Sequence, residues 1–305
     1  MNVSTRPFQH GSQKRQHRSV AWVTLLVLAL VGVIVGCGAP SSSSSSATSS
    51  TTPSSPASTS VHSDQSDQKP AAQTELTISA AASLRDALQE LEQQYESKHP
   101  HIMLKLNFGA SGALQKQIEQ GAPTDMFISA GKKQMDALLE SNLIDDKWQR
   151  PLLQNDLVVI VPQDRKAEAA WSKLDSLEGD LVKRIAIGAP DSVPAGSYAK
   201  QALEHAGLWD KLNSKFVLTK DVRQVLSYVE TGNVDAGFVY RTDALTSKKA
   251  AIAHTVDAAS HKPIVYPIGI VKATANQAEV QQWYEFLLSD TAKTVFERHG
   301  FRTAE

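Results

Sequence analysis

The sequence predicts an α/β protein that is large enough to form two lobes. From about residue 75 to residue 305, short apolar stretches typical of strands alternate with longer stretches whose apolar residues recur at helical spacing. The chain has 305 residues, of which 41% are apolar and 21% charged, an ordinary composition for one large globular domain or two lobes. Strands that alternate with helices indicate parallel sheets covered by helices on both faces.

The N-terminal segment, residues 1–36, is predicted to be a lipoprotein signal peptide. Four basic residues and no acidic residue precede the apolar run Val20–Val35, which is short for a membrane-spanning helix. The run ends at Ile34-Val35-Gly36-Cys37, and this ending resembles a lipobox. It implies cleavage before Cys37 and attachment of lipid to its thiol. A membrane anchor with an incidental cysteine is the alternative, but we expect a lipid-anchored protein on the extracytoplasmic face of the cell membrane.

Residues 37–74 are predicted to be the lipidated cysteine followed by a flexible linker. The segment Gly38–Gln73 is rich in Ser, Thr, Ala and Pro, and it includes the serine run Ser41–Ser46. A stretch of this composition has too few apolar side chains to form a core. We therefore expect a folded body, beginning near Glu75, that is held close to the membrane by its tether.

Charge and residue usage exclude several classes of function. The formal charge is −1, and after the four basic residues of the signal segment the remainder has 27 basic and 32 acidic residues. This mildly acidic body argues against general binding to nucleic acid. The single cysteine excludes an intrachain disulfide and a thiolate metal cluster. The nine histidines form no HxxxH or HExxH pair, and neither a Walker lysine loop nor GxGxxG is present.

The first half of the body reads as strand, helix, strand, helix and then two further strands. The predicted helix Leu84–Lys98 has apolar residues on one face, and the helix Ala113–Gln120 is closed by Gly121. The other stretches are short, mostly apolar runs, which is typical of buried strands. The predicted strands are Leu76–Ala80, Ile102–Phe108, Asp125–Ala130 and Leu157–Pro162.

The second half continues the alternation. The helix Ser197–Ala206 ends at Gly207, and Val222–Thr231, with four apolar residues on one face, ends at Gly232. One long helix, Ala278–His299, is predicted to close the body before Gly300. The predicted strands are Arg184–Gly188, Phe216–Thr219, Ala236–Tyr240 and Ile264–Val271.

Four strand-to-helix turns of this alternation lack bulky side chains and form candidate anion sites. The N–H groups at a helix start have no partner within the helix and carry a partial positive charge. Ligands of open α/β sheets bind outside the carboxyl ends of strands, where such turns lie. Two lobes that face each other could therefore direct two helix starts each at one anion. The turns are Ala81–Leu84, Gly109–Gly112, Ala189–Ser197 and Lys220–Val222.

Each of these residues also has an ordinary structural interpretation. Ser83 and Ser111 could be N-caps, and Asp221 before Val222 is expected to be one. Tyr240, at the end of a strand, could be a half-buried core tyrosine. The combination of small-residue turns with two serines favours the anion site over these separate interpretations.

The order of several motifs is similar to that of the periplasmic molybdate-binding proteins of ABC importers, the ModA type. The similarity runs from about Leu76 to the C-terminus, and it covers the whole predicted body. The motifs are AAASL at Ala80–Leu84, FGASG at Phe108–Gly112, GAPTDMFISA at Gly121–Ala130, NDLVVIVP at Asn155–Pro162, VPAGSYAKQAL at Val193–Leu203, DVRQVL at Asp221–Leu226, GFVYRTDAL at Gly237–Leu245 and YPIGIVK at Tyr266–Lys272.

The resemblance implies a two-lobed type II periplasmic-binding-protein fold with the ligand in the cleft between the lobes. One lobe would hold residues 75–155 and 246–305, and the other residues 156–245. It implies a molybdate or tungstate ligand, no cofactor, no catalytic residue, a monomer, and permease subunits of an importer as partners. The implied ligand-binding residues are Ser83, Ser111, Ala195, Val222 and Tyr240. Around Ser111 the turn has fewer hydroxyls than the serine-rich version associated with this family.

Two other functions remain open at this stage. A binding protein for another tetrahedral oxyanion, such as sulfate, would use the same turns. A serine hydrolase is the enzyme alternative, because Gly109–Ala113 is close to the G-x-S-x-G nucleophile elbow. Its triad would combine Ser111 with Asp243 and one of three histidines: His254, His261 or His299. Against it, the final glycine of the motif is replaced by Ala113, and the second serine turn is unexplained.

Overall fold

The computed structural model describes residues 73–167 and 173–304. The predicted signal peptide, Cys37 and nearly all of the predicted linker lie outside these ranges. Eleven strands in the described ranges form a six-stranded and a five-stranded sheet. In chain order they are β1 Thr74–Ala81, β2 Ile102–Gly109, β3 Met126–Ile128, β4 Ile144–Gln154, β5 Leu157–Pro162, β6 Ile185–Gly188, β7 Phe216–Thr219, β8 Ala236–Tyr240, β9 Ala250–Thr255, β10 Val265–Val271 and β11 Arg302–Thr303.

The described α-helices lie between these strands and cover the sheets. They are α1 Arg85–Glu96, α2 Ser111–Glu119, α3 Lys132–Glu140, α4 Pro194–His205, α5 Trp209–Leu212, α6 Val222–Glu230, α7 Arg241–Leu245, α8 Gln277–Leu287 and α9 Asp290–Arg298. None of them combines the length and the apolar character that crossing a membrane would need. We call the six-stranded sheet with its helices lobe 1, and the five-stranded sheet with its helices lobe 2.

Both sheets are mixed, so the prediction of parallel sheets holds for part of each sheet: β1 is parallel to β2 and β3, and β6 is parallel to β7 and β8. The order in lobe 1 is β11-β4-β10-β3-β1-β2, with β10 antiparallel to β3 and β4. The order in lobe 2 is β7-β6-β8-β5-β9, with β5 antiparallel to β8 and β9. The antiparallel strands β5 and β10 are those by which the chain enters a sheet from the other lobe. Strands β5 and β10 start at the cleft, whereas the strands that precede the candidate anion turns end there. The two groups of strands therefore run in opposite directions.

The chain passes between the lobes twice. It leaves lobe 1 at the end of β4 and enters lobe 2 at Leu157. The predicted return to lobe 1 at residue 246 is wrong, because β9 still pairs with β5 in lobe 2, with Pro162 opposite Ala250 and Val158 opposite Thr255. This strand covers an edge of β5 that would otherwise present unpaired N–H and C=O groups. The return is complete at Val265, where β10 begins.

Two further differences concern elements that lack a strong apolar pattern. Strand β4 contains the polar stretch of Asp145 and Asp146, and helix α3 starts with two lysines, so neither was predicted. The single long C-terminal helix is instead two helices, α8 and α9. They separate at Ser289, whose hydroxyl caps α9 by accepting the Ala292 N–H at 3.3 Å.

The predicted apolar faces of the helices account for much of the packing. In α1 the buried residues are Ala87, Leu88, Leu91 and Tyr95, and in α6 they are Val222, Val225, Leu226 and Val229. Burying one leucine or valine side chain stabilises the fold by about 1.5–3 kcal/mol. Since these faces are fixed against the sheets, the starts of the helices are held in place at the cleft.

Candidate functional site

The five residues predicted to bind the ligand line one cavity between the lobes. The cavity that they enclose is small, with a volume of about 10 Å³. Lobe 1 contributes the turns after β1 and β2, and lobe 2 contributes the turns before α4 and α6 together with the end of β8. The residues that the structure brings together are Ser83, Ser111, Ala195, Val222 and Tyr240. The topology therefore places four helix starts around one space, as the turn chemistry predicted.

The two serines of lobe 1 do not act as N-caps. Ser83 lies in a single 3-10 turn, Ala82–Leu84, and Ser111 is the first residue of α2. The residues at the cap positions of these two elements, Ala81 and Ala110, make no side-chain capping bond. Both serines are buried, and both residues line the cavity.

Each serine oxygen already accepts a hydrogen bond from the protein or lies against a hydroxyl partner. The Ser111 Oγ accepts the backbone N–H of Ala130 at 2.9 Å. The Ser83 Oγ lies 2.9 Å from the phenolic oxygen of Tyr266. These contacts hold the hydroxyls in position at the cavity wall.

Lobe 2 presents backbone N–H groups. Ala195 is the second residue of α4, after Pro194, and Val222 is the first residue of α6. The N–H groups of a first helical turn have no acceptor inside the helix. The predicted N-cap role of Asp221 is confirmed, since its carboxylate accepts the Gln224 N–H at 2.9 Å. The small or unobtrusive side chains here leave the helix starts open to the cavity.

Tyr240 closes the cavity from the end of β8. It is 1% exposed, so the alternative of a half-buried tyrosine is wrong. Its phenolic O–H donates to the carbonyl of Ala130 in lobe 1 at 3.3 Å, a long hydrogen bond that joins the two lobes. Burial raises the pKa of Tyr240 well above its ordinary value of 10.0, so the group stays a neutral donor at physiological pH.

The cavity is lined without a cationic side chain among the described residues. Asp221 is the charged residue in the lining, and its carboxylate is engaged in capping α6. A positive potential must therefore come from helix starts and hydrogen-bond donors. In the same described ranges, no group of three or more His, Cys, Asp or Glu residues could hold a metal ion.

Close backbone contacts bring the two lobes together beside the cavity. The Gly112 N–H at the start of α2 donates to the Ser192 carbonyl of lobe 2 at 2.9 Å. A Cβ at Gly112 would lie 2.7 Å from that carbonyl oxygen, and a Cβ at Gly131 would lie 3.1 Å from Pro194. The Gly112 contact leaves no room for a side chain, and the Gly131 contact is tight, so the structure describes the lobes in a closed arrangement.

An ion pair that the sequence did not predict also bridges the lobes. The Arg223 guanidinium in α6 pairs with Asp86 in α1. Within lobe 2, the Arg223 Nε lies 2.8 Å from the carboxylate of Asp243, which is completely buried. Burial raises the pKa of Asp243 to about 7, and the charge of Arg223 opposes this shift. Arg223 follows Val222 in DVRQVL, a position that could have drawn attention to it.

The contacts of the candidate triad do not assemble a hydrolase site. Asp243 pairs with Arg223. The His299 Nε2 lies 3.0 Å from Glu90, and the His261 Nδ1 lies 2.8 Å from the Lys262 carbonyl oxygen. Within residues 73–167 and 173–304, no hydrogen bond joins Ser111 to a histidine.

Comparison with known proteins identifies relatives over the same region. The profile of the family described as bacterial extracellular solute-binding protein matches residues 76–302. YvgL of Bacillus subtilis, named as a candidate ABC transporter substrate-binding lipoprotein, is 51% identical over 231 residues, 75% of this chain and 86% of YvgL. The molybdate-binding protein ModA of Haemophilus influenzae is 39% identical over 236 residues, 76% of this chain and 91% of ModA.

A solved structure agrees in fold as well as in sequence. The periplasmic molybdate-binding protein of Azotobacter vinelandii matches with a TM-score of 0.68 and 25% identity. The match covers 75% of this chain and 100% of that one.

Proposed function

The chain belongs to the ModA-type, molybdate-binding group of bacterial extracellular solute-binding proteins, and we propose that it captures molybdate between its two lobes for delivery to an ABC importer. The observation that carries this proposal is the cavity lined jointly by Ser83, Ser111, Ala195, Val222 and Tyr240. These residues come from five separate segments of the chain, and they supply neutral donors from both lobes.

The donors are suited to a small, fully deprotonated oxyanion. Hydroxyls of lobe 1, backbone N–H groups of lobe 2 and the Tyr240 phenol would surround the ion. A hydrogen bond to a charged group contributes about 1.5–3 kcal/mol, and a helix terminus adds about 0.3–1 kcal/mol. Several such contacts can offset the cost of removing a dianion from water without any lysine or arginine in the cavity.

The same donors provide selectivity. A protonated oxyanion such as hydrogen phosphate needs an acceptor for its proton. The acceptors in the lining, the Asp221 carboxylate and the Ala130 carbonyl, are already engaged by the Gln224 N–H and the Tyr240 hydroxyl. Sulfate carries no proton at neutral pH, but it is smaller than molybdate and would fit less closely. Tungstate has nearly the size and charge of molybdate, so we expect both to bind.

The expected cellular setting follows from the N-terminal sequence. Lipidation of Cys37 and the linker after it would tether the binding lobes to the extracytoplasmic face of the membrane, within reach of the permease. YvgL carries the word lipoprotein in its name, which supports this part of the proposal. A Cys37→Ser variant should take up no labelled fatty acid and should keep its N-terminal segment uncleaved, whereas the unmodified chain should be labelled and shortened.

Titration of the full chain in detergent with four anions tests the proposed function. We expect molybdate and tungstate to bind with one ion per chain by isothermal titration calorimetry, and sulfate and phosphate to bind at least a hundredfold more weakly, as loss of one or two charged hydrogen bonds implies. Binding of sulfate or phosphate alone would overturn the proposal. Labelling of Ser111 by a fluorophosphonate probe would instead favour the hydrolase.

A further inference from the structure

A chain of buried side-chain hydrogen bonds connects the crossing between the lobes to the cavity. It starts at Asn155, the first of the two residues between β4 and β5, and runs through Tyr266 on β10 to Ser83. A side branch links Asn155 to Thr242 in lobe 2. All four side chains are at most 5% exposed. Buried polar groups of this kind hold a defined geometry, because an unpaired partner would be costly.

The donors and acceptors of these hydrogen bonds can be assigned starting from the side-chain amide of Asn155. The backbone N–H of Asp156 lies 2.9 Å from the Asn155 Oδ1, and a backbone N–H can only donate. The amide oxygen of Asn155 is therefore on that side, and its Nδ2 faces the other way. This nitrogen donates to the Thr242 Oγ1 at 2.9 Å and to the Tyr266 oxygen at 3.3 Å.

Tyr266 is the next residue whose hydrogen-bond roles follow from this assignment. Since the Tyr266 oxygen accepts from Asn155, its own proton must go to a different acceptor. Two oxygens of the described residues lie near this proton, the Ser83 Oγ at 2.9 Å and the Tyr240 hydroxyl, whose own proton goes to the Ala130 carbonyl. The short distance favours Ser83 as the acceptor, although the distance by itself allows either hydroxyl of that pair to donate. The Tyr266 ring packs against Tyr240 and Phe301, with ring centroids 5.6 Å and 5.5 Å away, and this packing holds its hydroxyl in place. Burial also raises the pKa of Tyr266 well above 10.0, so the phenol keeps its proton.

The result is a serine hydroxyl with a defined polarity. With Tyr266 as the donor of this pair, the Ser83 Oγ is the acceptor, and the Ser83 proton is then free to point into the cavity. Ser111 is in the same situation by a different route, because its Oγ accepts the N–H of Ala130 at 2.9 Å. Both serines of lobe 1 therefore face an ion as donors.

We propose that Asn155 and Tyr266 are positioning residues that keep the Ser83 hydroxyl a donor, and that they thereby help the cleft reject oxyanions that carry a proton. This proposal rests on the function proposed above and deepens it. We call the hydrogen bonds from Asn155 through Tyr266 to Ser83 the relay. Without the relay, the Ser83 hydroxyl could rotate and accept the proton of hydrogen phosphate. With the relay in place, that proton meets another donor at Ser83.

The variant Tyr266→Phe tests the proposal, because it removes one hydroxyl and keeps the ring packing. A matched control is Tyr95→Phe in α1, another buried tyrosine of lobe 1, whose hydroxyl has no hydrogen-bond partner among the described residues. The full chain in detergent is titrated with molybdate and with phosphate, and thermal unfolding without ligand is recorded for each variant.

For Tyr266→Phe we expect about tenfold weaker molybdate binding, the effect of one perturbed hydrogen bond to a charged group, together with stronger phosphate binding. The ratio of the phosphate Kd to the molybdate Kd should fall at least tenfold, whereas Tyr95→Phe should leave it unchanged. General damage to the cleft would weaken the binding of both anions and leave the ratio of their Kd values unchanged.

An unchanged ratio in Tyr266→Phe, with molybdate bound tightly by the unmodified chain, would overturn the relay and leave the proposed function standing. Failure of molybdate to bind the unmodified chain would overturn both the relay and the proposed function. Phosphate that remains undetectable at millimolar concentration with Tyr266→Phe would also count against the relay.

Discussion

Ser111 is the residue whose role changes most between a local and a tertiary view. Locally it is a serine at a helix start, where a capping role is common. In the folded chain its oxygen accepts the Ala130 N–H, and the Ala130 carbonyl accepts the phenol of Tyr240 from the other lobe. One residue of lobe 1, Ala130, thus contacts two of the proposed ligand donors, and an ion in the cavity would compete for the Tyr240 proton.

Replacing Ser111 tests its contribution directly. Ser111→Ala removes one donor to the anion and leaves the Ala130 N–H without its acceptor. We expect molybdate binding to weaken by about 10–100-fold, the equivalent of one hydrogen bond to a charged group. Calorimetry on Ser97→Ala provides the control, because Ser97 is exposed at the far end of α1. Unchanged affinity in Ser111→Ala would remove this serine from the site.

At the scale of elements, helix α2 meets the loop before α4 through a contact that has no room for a side chain. The Gly112 N–H donates to the Ser192 carbonyl, and an added Cβ would lie within 2.8 Å of two Ser192 atoms. Gly112 lies in an α-helix, where alanine is intrinsically favoured by about 1 kcal/mol. Closure of the lobes therefore favours glycine at position 112, whereas the stability of helix α2 favours alanine.

The variant Gly112→Ala separates these two demands. Without ligand its melting temperature should stay the same or rise slightly, because alanine favours the helix. Molybdate affinity should fall at least tenfold, because the lobes cannot approach as closely, and small-angle scattering with molybdate should show a less compact particle. Ala113→Ser adds one atom at the neighbouring exposed position and serves as the control. A lower melting temperature with normal affinity would contradict this explanation.

A contact between helix α1 and the end of helix α9 predicts that the stability of the fold depends on pH. Glu90 in α1 accepts from His299 and Arg298 at the end of α9, and these hydrogen bonds lower the pKa of its carboxyl from 4.5. A lowered folded-state pKa means that the ionised form stabilises the fold above pH 4.5 and that this contribution is lost as pH falls through the folded pKa. The pair is partly exposed, so its contribution is modest.

Glu90→Gln should therefore lower the free energy of unfolding by about 0.5–1 kcal/mol at neutral pH. The difference from the unmodified chain should shrink toward zero as the pH is lowered below 4. Urea unfolding at a series of pH values measures it, with Glu119→Gln on the exposed face of α2 as the control. A deficit that does not depend on pH would indicate a packing effect in place of the ionic one.

At the scale of the whole molecule, binding and closure are coupled through contacts made by both lobes. Arg223 is held in lobe 2 by Asp243 and by the Thr246 hydroxyl, at 2.8 Å and 3.2 Å. Its guanidinium is thereby directed at Asp86 of lobe 1 before the lobes meet. A side chain that is already ordered loses little conformational entropy when the pair forms. The interlobe pair should therefore favour the closed state without contacting the ligand.

Asp86→Asn removes the charge of this pair and keeps the shape. The pair is partly exposed, so we expect a loss of about 0.5–1 kcal/mol, which is a two- to fivefold weaker molybdate affinity. The affinity should also become less sensitive to salt, because screening acts on the ion pair. Calorimetry at low and high salt measures both effects, and Glu75→Gln, in a surface pair within lobe 1, is the control. Equal affinity and salt dependence would show that the pair does not contribute to closure.

Much of this molecule could be predicted from local sequence. Turn chemistry and apolar periodicity located most strands and helices, and they placed Ser83, Ser111, Ala195 and Val222 at helix starts. These signals are local, because helix spacing, glycine stops and small-residue turns depend on neighbours along the chain. The resemblance to a family then assigned Tyr240 to the ligand site and gave the type of two-lobed fold.

Only the tertiary structure decided what depends on contacts between distant segments. Strand β9 has a weak apolar pattern of its own, and its place in lobe 2 follows from pairing with β5. The pairing of Arg223 with Asp86 joins residues 137 positions apart, and the contact of Ser83 with Tyr266 spans 183 positions. The sequence by itself thus determined which groups could donate to an anion, whereas the fold decided which hydroxyls are oriented as donors and where the lobes meet, because both depend on distances that no local pattern encodes.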